Sequence, residues 1–236
     1  MNIARIVLAV CMVLLGAPAV AQDESDSAEI ESRDYVFVFI TTGEATDLTP
    51  DQQREAFGGH FSNMKRMAVA GDLLIAGPFG PPLAEPDHRG LFVFDAETIE
   101  EGMAHAETDP TYQAGVFKLT PHLLTTAAPL TKLHKLDMKA LEEQGENAPP
   151  GSNARSYVLA SAPFDEKLYE TAGEAEGVLI AARLHGSGED ESDEILLWLD
   201  AENEEAAKEI AGKLGGEWTL HGWFGSKSVA AFGEGE

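Results

Sequence analysis

The chain has 236 residues, of which 44% are hydrophobic, and this length and composition are those of one large globular domain or two ordinary ones. Its 41 acidic and 16 basic residues give a formal net charge of −25. This balance argues against nucleic acid and anionic membrane surfaces as partners, because both require clustered Lys and Arg.

The first 21 residues have the pattern of a secretory signal peptide. Arg5 supplies the positive charge, the apolar run IVLAVCMVLL follows, and AVA places small residues at a cleavage site after Ala21. The run is short for a membrane-spanning helix, so we expect cleavage and export to the periplasm or the medium, with no further membrane segment. Cleavage would remove the one cysteine, Cys11, and with it every thiol that could form a disulfide or bind a metal.

After an acidic leader at 22–33, the chain contains two copies of one unit. The matching segments are DYVFVFIT and SYVLASAP, GDLLIAGPFG and GVLIAARLHG, LFVFDAETIEEGMAHA and LLWLDAENEEAAKEIA, and AGVF and HGWF. Each copy has the order strand, helix or connection, strand, strand, helix, strand, which is that of the ferredoxin-like α+β fold. We therefore predict a first domain at 34–141, a linker at 142–153 with Pro-Pro and Gly, and a degenerate repeat at 154–236.

Sheets of this kind bury one face under helices and need a partner for the other face. In a tandem chain the second unit can be that partner. The sequence thus predicts an intramolecular pseudo-dimer resembling a dimeric α+β barrel, which could also assemble into a homo-oligomer of pseudo-dimers.

The segment between the first two predicted strands is much longer in the first unit than in the second, and it has the pattern of a helix. Thr49, Pro50 and Gln52 form an N-terminal capping signal, and apolar residues then recur at spacings of three and four on the face that carries His60. Each glycine of Gly58-Gly59 costs about 1 kcal/mol inside a helix, so we expect the helix to break there and restart near His60. The second unit has only FDEKLYETAGEAEG at this point, which is too short for a matching helix, so we expect this helix to be missing there.

Asp109 stands at the predicted end of a helix at 98–108, because Pro110 prevents its continuation. A carboxylate at a helix C-terminus is unfavourable unless a cation compensates it. Both helices of a ferredoxin-like unit cover the same face of the sheet, so we predict that Asp109 faces His60 and orients its imidazole. The alternatives are a histidine that only packs in the core and an aspartate that only ends a helix.

Residues 34–124 resemble the YCII-related (YciI-like) proteins, on GGHFSNMKRMAVAGDLLIAGPF, AGP at 76–78 and DPTYQAGVF at 109–117. The resemblance implies a ferredoxin-like domain that pairs into a dimeric barrel, with a histidine and an aspartate flanking a pocket as an acid–base pair. These roles transfer to His60 and Asp109. The resemblance also implies a dehalogenating elimination on a small aromatic, which is the activity of one relative. The family's Arg-Pro before the histidine is absent, since Phe57, Gly58 and Gly59 stand there.

These observations predict a small-molecule enzyme that uses a His60–Asp109 acid–base pair and no cofactor. The residues expected to line its substrate pocket are Phe61, Phe79 and Phe117. The other six histidines show no HxH or HxxxH spacing, so no metal site is expected. A non-catalytic small-molecule binding module and a structural module of the cell envelope remain alternative readings of the same sequence.

Overall fold

Eight antiparallel strands close into a barrel in the computed structural model, which describes residues 32–145, 151–188 and 191–233. The predicted signal peptide, nearly all of the acidic leader and the middle of the predicted linker lie outside the described residues. The strands are β1 (Arg33–Thr42), β2 (Leu73–Gly80), β3 (His88–Phe94), β4 (Phe117–Thr126), β5 (Ala154–Pro163), β6 (Val178–Leu184), β7 (Glu194–Leu199) and β8 (Thr219–Ser226).

Helices cover the barrel on the outside and at one end. They are α1 (Pro50–Ala70), α2 (Ile99–Ala106), α3 (Pro110–Gln113), α4 (Thr131–Gln144), α5 (Glu166–Gly173) and α6 (Glu204–Leu214), followed by a 3-10 helix at Lys227–Phe232. The sequence pattern did not predict helix α4. Leu130 and Leu133, at its start, join the barrel interior together with Val229 of the 3-10 helix, so these segments close that end of the barrel.

The strand order around the barrel is β1-β3-β2-β8-β5-β7-β6-β4. Each half therefore has the order 4-1-3-2 of a ferredoxin-like sheet, and the predicted pseudo-dimer is the arrangement observed. The halves join where β2 pairs with β8, at Phe79 opposite Trp223, and where β4 pairs with β6, at Leu124 opposite Leu184. Closure gives the edge strands of both halves a partner.

The barrel interior is a single apolar cluster to which both halves contribute. Phe37 of β1 and Trp198 of β7 are fully buried, and their rings meet edge to face at 6.4 Å between centroids. The outer faces of the strands form two further clusters under the helices. Because the strands are buried on both faces, their sequences read as nearly continuous apolar runs such as YVFVFI and ILLWL.

Three expectations about the helices are wrong. Helix α1 runs without a break through Gly58 and Gly59, because packing of its buried face against the sheet outweighs the local cost of two glycines. The segment after β5 does form a helix, α5, which Asp165 caps by accepting a hydrogen bond from the Leu168 N–H. Helix α2 ends at Ala106, earlier than expected, and a separate short helix, α3, follows.

Aromatic rings gather inside the barrel away from the end that α4 closes. His88 of β3 stacks on Phe39 at 4.6 Å and on His221 of β8 at 6.1 Å, so the stack crosses the junction between the halves. Burial lowers the pKa of His88, against the opposing charges of Glu85 and Asp87. Burial also lowers the pKa of His221, with a further contribution from His88 and opposition from Glu85.

The lowered pKa values of these two histidines lead us to expect that the folded protein is less stable in mild acid. Each has a folded-state pKa below its ordinary value of 6.5, so below about pH 6.5 the unfolded chain takes up protons that the folded chain does not. We expect the free energy of unfolding, measured by urea denaturation, to fall between pH 7 and pH 5. The fall should be smaller in His221→Phe and unchanged in His134→Phe, which alters a histidine of α4 outside the stack. An equal pH dependence in all three proteins would contradict this assignment.

Candidate active site

His60 lies on the face of α1 that packs against the sheet. The helix begins with a complete capping box, in which the Thr49 hydroxyl accepts a hydrogen bond from the Gln52 N–H and the Gln52 side chain accepts one from the Thr49 N–H. It ends at Gly71, whose φ of 87° is left-handed. The buried residues Ala56, His60 and Met67 follow one another on this face, and His60 is only 8% exposed.

Asp109 begins α3 rather than simply ending α2. Its backbone is extended, Pro110 occupies the first helical position, and its Oδ1 accepts hydrogen bonds from the Thr111 N–H at 2.8 Å and the Thr111 hydroxyl at 2.6 Å. The premise that this carboxylate sits at an unfavourable helix end is therefore wrong, because an N-cap is the position that aspartate prefers. The side chain is nevertheless almost completely buried, at 1% exposure of the residue.

The two side chains meet, as the sequence analysis expected. His60 Nδ1 lies 2.6 Å from Asp109 Oδ2, and the Thr111 hydroxyl oxygen is 3.5 Å from the same nitrogen. With Asp109 ionised, Nδ1–H donates to the carboxylate, which fixes the tautomer and leaves the lone pair on Nε2. Nε2 has no hydrogen-bond partner among the described residues. The arrangement therefore presents an oriented imidazole nitrogen that can accept a proton.

Asp109 stays ionised despite its burial. Burial alone would raise the pKa of this carboxyl group, but the hydrogen bonds from His60 and Thr111, together with the charge of the imidazole, hold the pKa below its ordinary value of 3.8. A buried carboxylate in this state stabilises the imidazolium that forms when Nε2 takes up a proton.

A cavity of about 190 Å³ opens beside His60. Its walls are mainly apolar and aromatic, with ring contacts from Phe57, Phe61, Phe92 and Phe117 to His60 at centroid distances between 5.2 and 6.4 Å. Aromatic walls suit a flat or apolar ligand, and the imidazole supplies the polar group within them.

Two of the three expected pocket phenylalanines border this cavity, and one does not. Phe61 and Phe117 line it, whereas Phe79 lies inside the barrel and contacts Phe39, His88 and His221. The expectation that Phe79 lines the pocket is therefore wrong. Side chains alternate along a strand, so Pro78 points outward and borders the cavity while its neighbour Phe79 points into the barrel.

Arg89 also borders the cavity, although no motif in the sequence marks it. It precedes Gly90 on β3, where alternation with the inward-facing His88 directs Arg89 outward, towards the helices. Its exposed guanidinium makes no hydrogen bond or ion pair within the described part of the chain. The site therefore contains a cation that is free to bind an anionic group, although the residues directly before His60 are Phe57, Gly58 and Gly59.

The other basic residues near His60 on α1 are placed differently. Arg66 donates hydrogen bonds to the Asn63 side-chain oxygen and to Thr108, which holds it on the helix surface. Lys65 is exposed and borders a separate groove.

The second half of the barrel has glycine at the position equivalent to Asp109. Residues Gly215 and Gly216, both with left-handed φ, follow α6 where Asp109 follows α2 in the first half.

Among the described residues, no three His, Cys, Asp or Glu side chains converge to hold a metal ion. No helix in the described ranges has both the length and the apolar character needed to cross a membrane.

Solved structures of similar shape are distant in sequence. The siroheme decarboxylase NirDL in complex with an iron-uroporphyrin III analogue aligns at a TM-score of 0.43 and 8% identity, covering 83% of this chain and 71% of that one. A candidate monooxygenase from Lactobacillus acidophilus NCFM aligns at 0.44 and 10%, covering 81% and 93%. An anthrone oxidase-like protein aligns at 0.36 and 11%, covering 83% and 92%.

The sequence matches no protein-family model and no curated protein sequence. With TM-scores below 0.5, the structural similarities assign neither a family nor an activity to the chain. The barrel itself defines the class, an α+β protein with the architecture of a dimeric α+β barrel contained in one chain.

The two glycines before His60 give a matched pair of substitutions. A Cβ at Gly58 would contact nothing within 4 Å, whereas a Cβ at Gly59 would lie 2.7 Å from Pro110 Cγ. We expect Gly58→Ala to raise the free energy of unfolding by about 0.5–1 kcal/mol, through helix propensity alone. We expect Gly59→Ala to lower it by about 1–3 kcal/mol, because α3 must move away from α1. Chemical denaturation measures both, and an equal gain from the two substitutions would contradict the close contact.

Replacing Asp109 tests the pairing with His60. We expect Asp109→Asn to lower the free energy of unfolding by about 1–3 kcal/mol, since it removes a buried charge-assisted hydrogen bond. The ¹⁵N chemical shifts of the His60 ring should also lose the Nδ1–H preference, because an amide can donate as well as accept. Asp72→Asn is the control, since Asp72 lies 3.6 Å from His105 at a partly exposed site. A His60 tautomer that is the same in wild type and Asp109→Asn would rule out the pairing.

Proposed function

We propose that this protein is an exported, YCII-related small-molecule enzyme that uses His60 as a general base and then a general acid. The observation that carries the proposal is the buried 2.6 Å contact between His60 Nδ1 and Asp109 Oδ2 beside an aromatic cavity. General acid–base catalysis needs a base whose orientation is fixed and whose protonated form is stabilised, and Asp109 supplies both conditions.

The cavity contributes binding and exclusion of water. Its aromatic walls pack against an apolar or aromatic substrate, and Arg89 pairs with an acidic group on that substrate. Holding the reacting hydrogen near Nε2 makes proton removal effectively intramolecular. The exchange of bulk water for apolar walls also strengthens the His60–Asp109 interaction.

The reaction that the family resemblance favours is an elimination of hydrogen halide. His60 Nε2 removes a proton from the substrate, the electron pair left behind forms a new double bond, and the halide leaves with its bonding pair. The products are an unsaturated molecule, a halide ion and a proton that His60 returns to solvent. No oxidant or reductant is consumed.

A direct test is release of chloride from a panel of chlorinated hydroquinones by the purified protein, since loss of HCl from these compounds leaves a quinone without any oxidant. We expect turnover in the wild type, a loss of about 10²–10⁴-fold in His60→Gln and Asp109→Asn, and no loss in His105→Gln. His105 is a matched control because it also lies beside a carboxylate, Asp72, yet stands outside the cavity. Turnover that survives His60→Gln would remove His60 from the chemistry. Tight binding of the same compounds without turnover in any protein would favour the binding module.

Arg89 gives a prediction about substrate affinity. We expect Arg89→Gln to raise KM for acidic substrates by about 10- to 100-fold with little change in kcat, because it removes a charge-assisted contact that is present before and during the reaction. Arg66→Gln should leave both constants unchanged, since Arg66 bonds to Asn63 and Thr108 instead. A fall in kcat alone on removing Arg89 would contradict a binding role.

A further inference from the structure

A groove of about 540 Å³ lies on the outside of the barrel, between α1 and α4 and above the junction of β2 with β8. Its border holds four of the large apolar side chains that the described part of the chain exposes. They are Phe61 at 64% exposure, Val69, Leu141 and Phe224. Exposed apolar side chains that gather around a concavity indicate a binding surface.

The groove continues into the His60 cavity. Phe61, Met64, Gly77 and Pro78 line both, so the two spaces share one wall formed by α1 and β2. Gly77 lets β2 and β8 approach closely there, since a Cβ at this residue would lie 2.0 Å from the Phe224 carbonyl oxygen. Gly77 itself therefore adds no side chain to the wall that the groove and the cavity share.

The volumes of the cavity and the groove indicate which part of a ligand each could hold. The cavity of about 190 Å³ is smaller than a typical ligand pocket of roughly 300–1,000 Å³, whereas the groove falls within that range. A ligand whose reacting end fills the cavity can extend past the shared wall into the groove, where apolar side chains from α1, α4 and β8 surround it.

Two cations mark where an acidic group would bind. Arg89 stands at the cavity and Lys65 at the groove, and neither has a hydrogen-bond or ion-pair partner within the described residues. In a chain with a net charge of −25, unpaired cations at one continuous site attract an anion that the rest of the surface repels.

We propose that the groove is the second half of the substrate site and that the substrate class is monocarboxylic acids with an elongated apolar body. The carboxylate pairs with Arg89, and the apolar body lies along the groove past Phe61 towards Phe224. This assignment rests on the proposed function, because it takes the reacting end of the substrate to lie against His60.

The test is the affinity of straight-chain alkanoates from hexanoate to dodecanoate, below their micelle concentrations, measured by isothermal titration calorimetry. We expect Kd in the wild type to fall about three- to fourfold for each added methylene until the groove is filled. Ala68→Trp places a large ring on the groove wall of α1 and should abolish this dependence while hexanoate still binds. Ala104→Trp adds the same side chain at an exposed position of α2, outside the groove, and should behave as wild type.

Phe224→Ala is a second variant, and we expect it to fold normally because Phe224 is partly exposed. It should weaken dodecanoate binding several-fold and leave hexanoate binding unchanged. A chain-length dependence that is flat in the wild type, or unaltered in Ala68→Trp, would overturn the groove assignment. If instead the dependence is as expected but His60→Gln leaves chloride release unchanged, the groove stands and the acid–base proposal falls.

Discussion

The fold depends on closing a sheet that one ferredoxin-like unit leaves open. Each half has an apolar inner face and two edge strands, and neither the face nor the edges can be left exposed to water without cost. The pairing of β2 with β8 and of β4 with β6 solves both problems at once. It encloses residues such as Phe37 and Trp198 in a common interior and provides a partner for every edge. Placing both halves in one chain makes this association intramolecular.

Intramolecular closure also explains why the halves can differ. In a dimer of identical units, any change in one site appears in both, whereas a tandem chain can keep the barrel pairing in each half and alter the helices independently. The first half has a long α1 with a buried histidine and a capped α3 that presents Asp109 to it. The second half has the shorter α5 and two glycines after α6. The second half therefore supplies barrel strands and one wall of the groove, and the His–Asp pair belongs to the first.

Much of the architecture could be predicted from the sequence because the repeat carries it. Apolar runs such as YVFVFI and ILLWL mark strands buried on both faces, and their order in each copy gives the strand order of the sheet. The contact between His60 and Asp109 could be anticipated because both helices of such a unit cover one face. The course of individual helices could not be predicted as well. The continuity of α1 through Gly58-Gly59 depends on packing of its buried face against the sheet, which is a set of contacts with residues distant in the sequence.

The same limit applies to the pocket. Phe79 and Arg89 lie on neighbouring strands, and whether each points into the barrel or towards the helices depends on strand register. A shift of one residue exchanges the two faces, so composition alone could not separate the inward Phe79 from the outward Arg89. The groove could not be predicted from the sequence for a different reason. Its walls come from α1, α4 and β8, and only barrel closure brings β8 beside β2.

The buried carboxylate of Asp109 links helix α3 to the cavity beside His60. Asp109 is tolerated because three donors satisfy it, namely the Thr111 N–H, the Thr111 hydroxyl and His60 Nδ1. Two of them come from its own helical turn and hold the carboxylate in place before any ligand arrives. The third is the imidazole, whose other nitrogen is thereby left with a lone pair beside the cavity. One carboxylate thus caps α3 through Oδ1 and orients the imidazole through Oδ2, which is why the short α3 can position the chemistry of the first half.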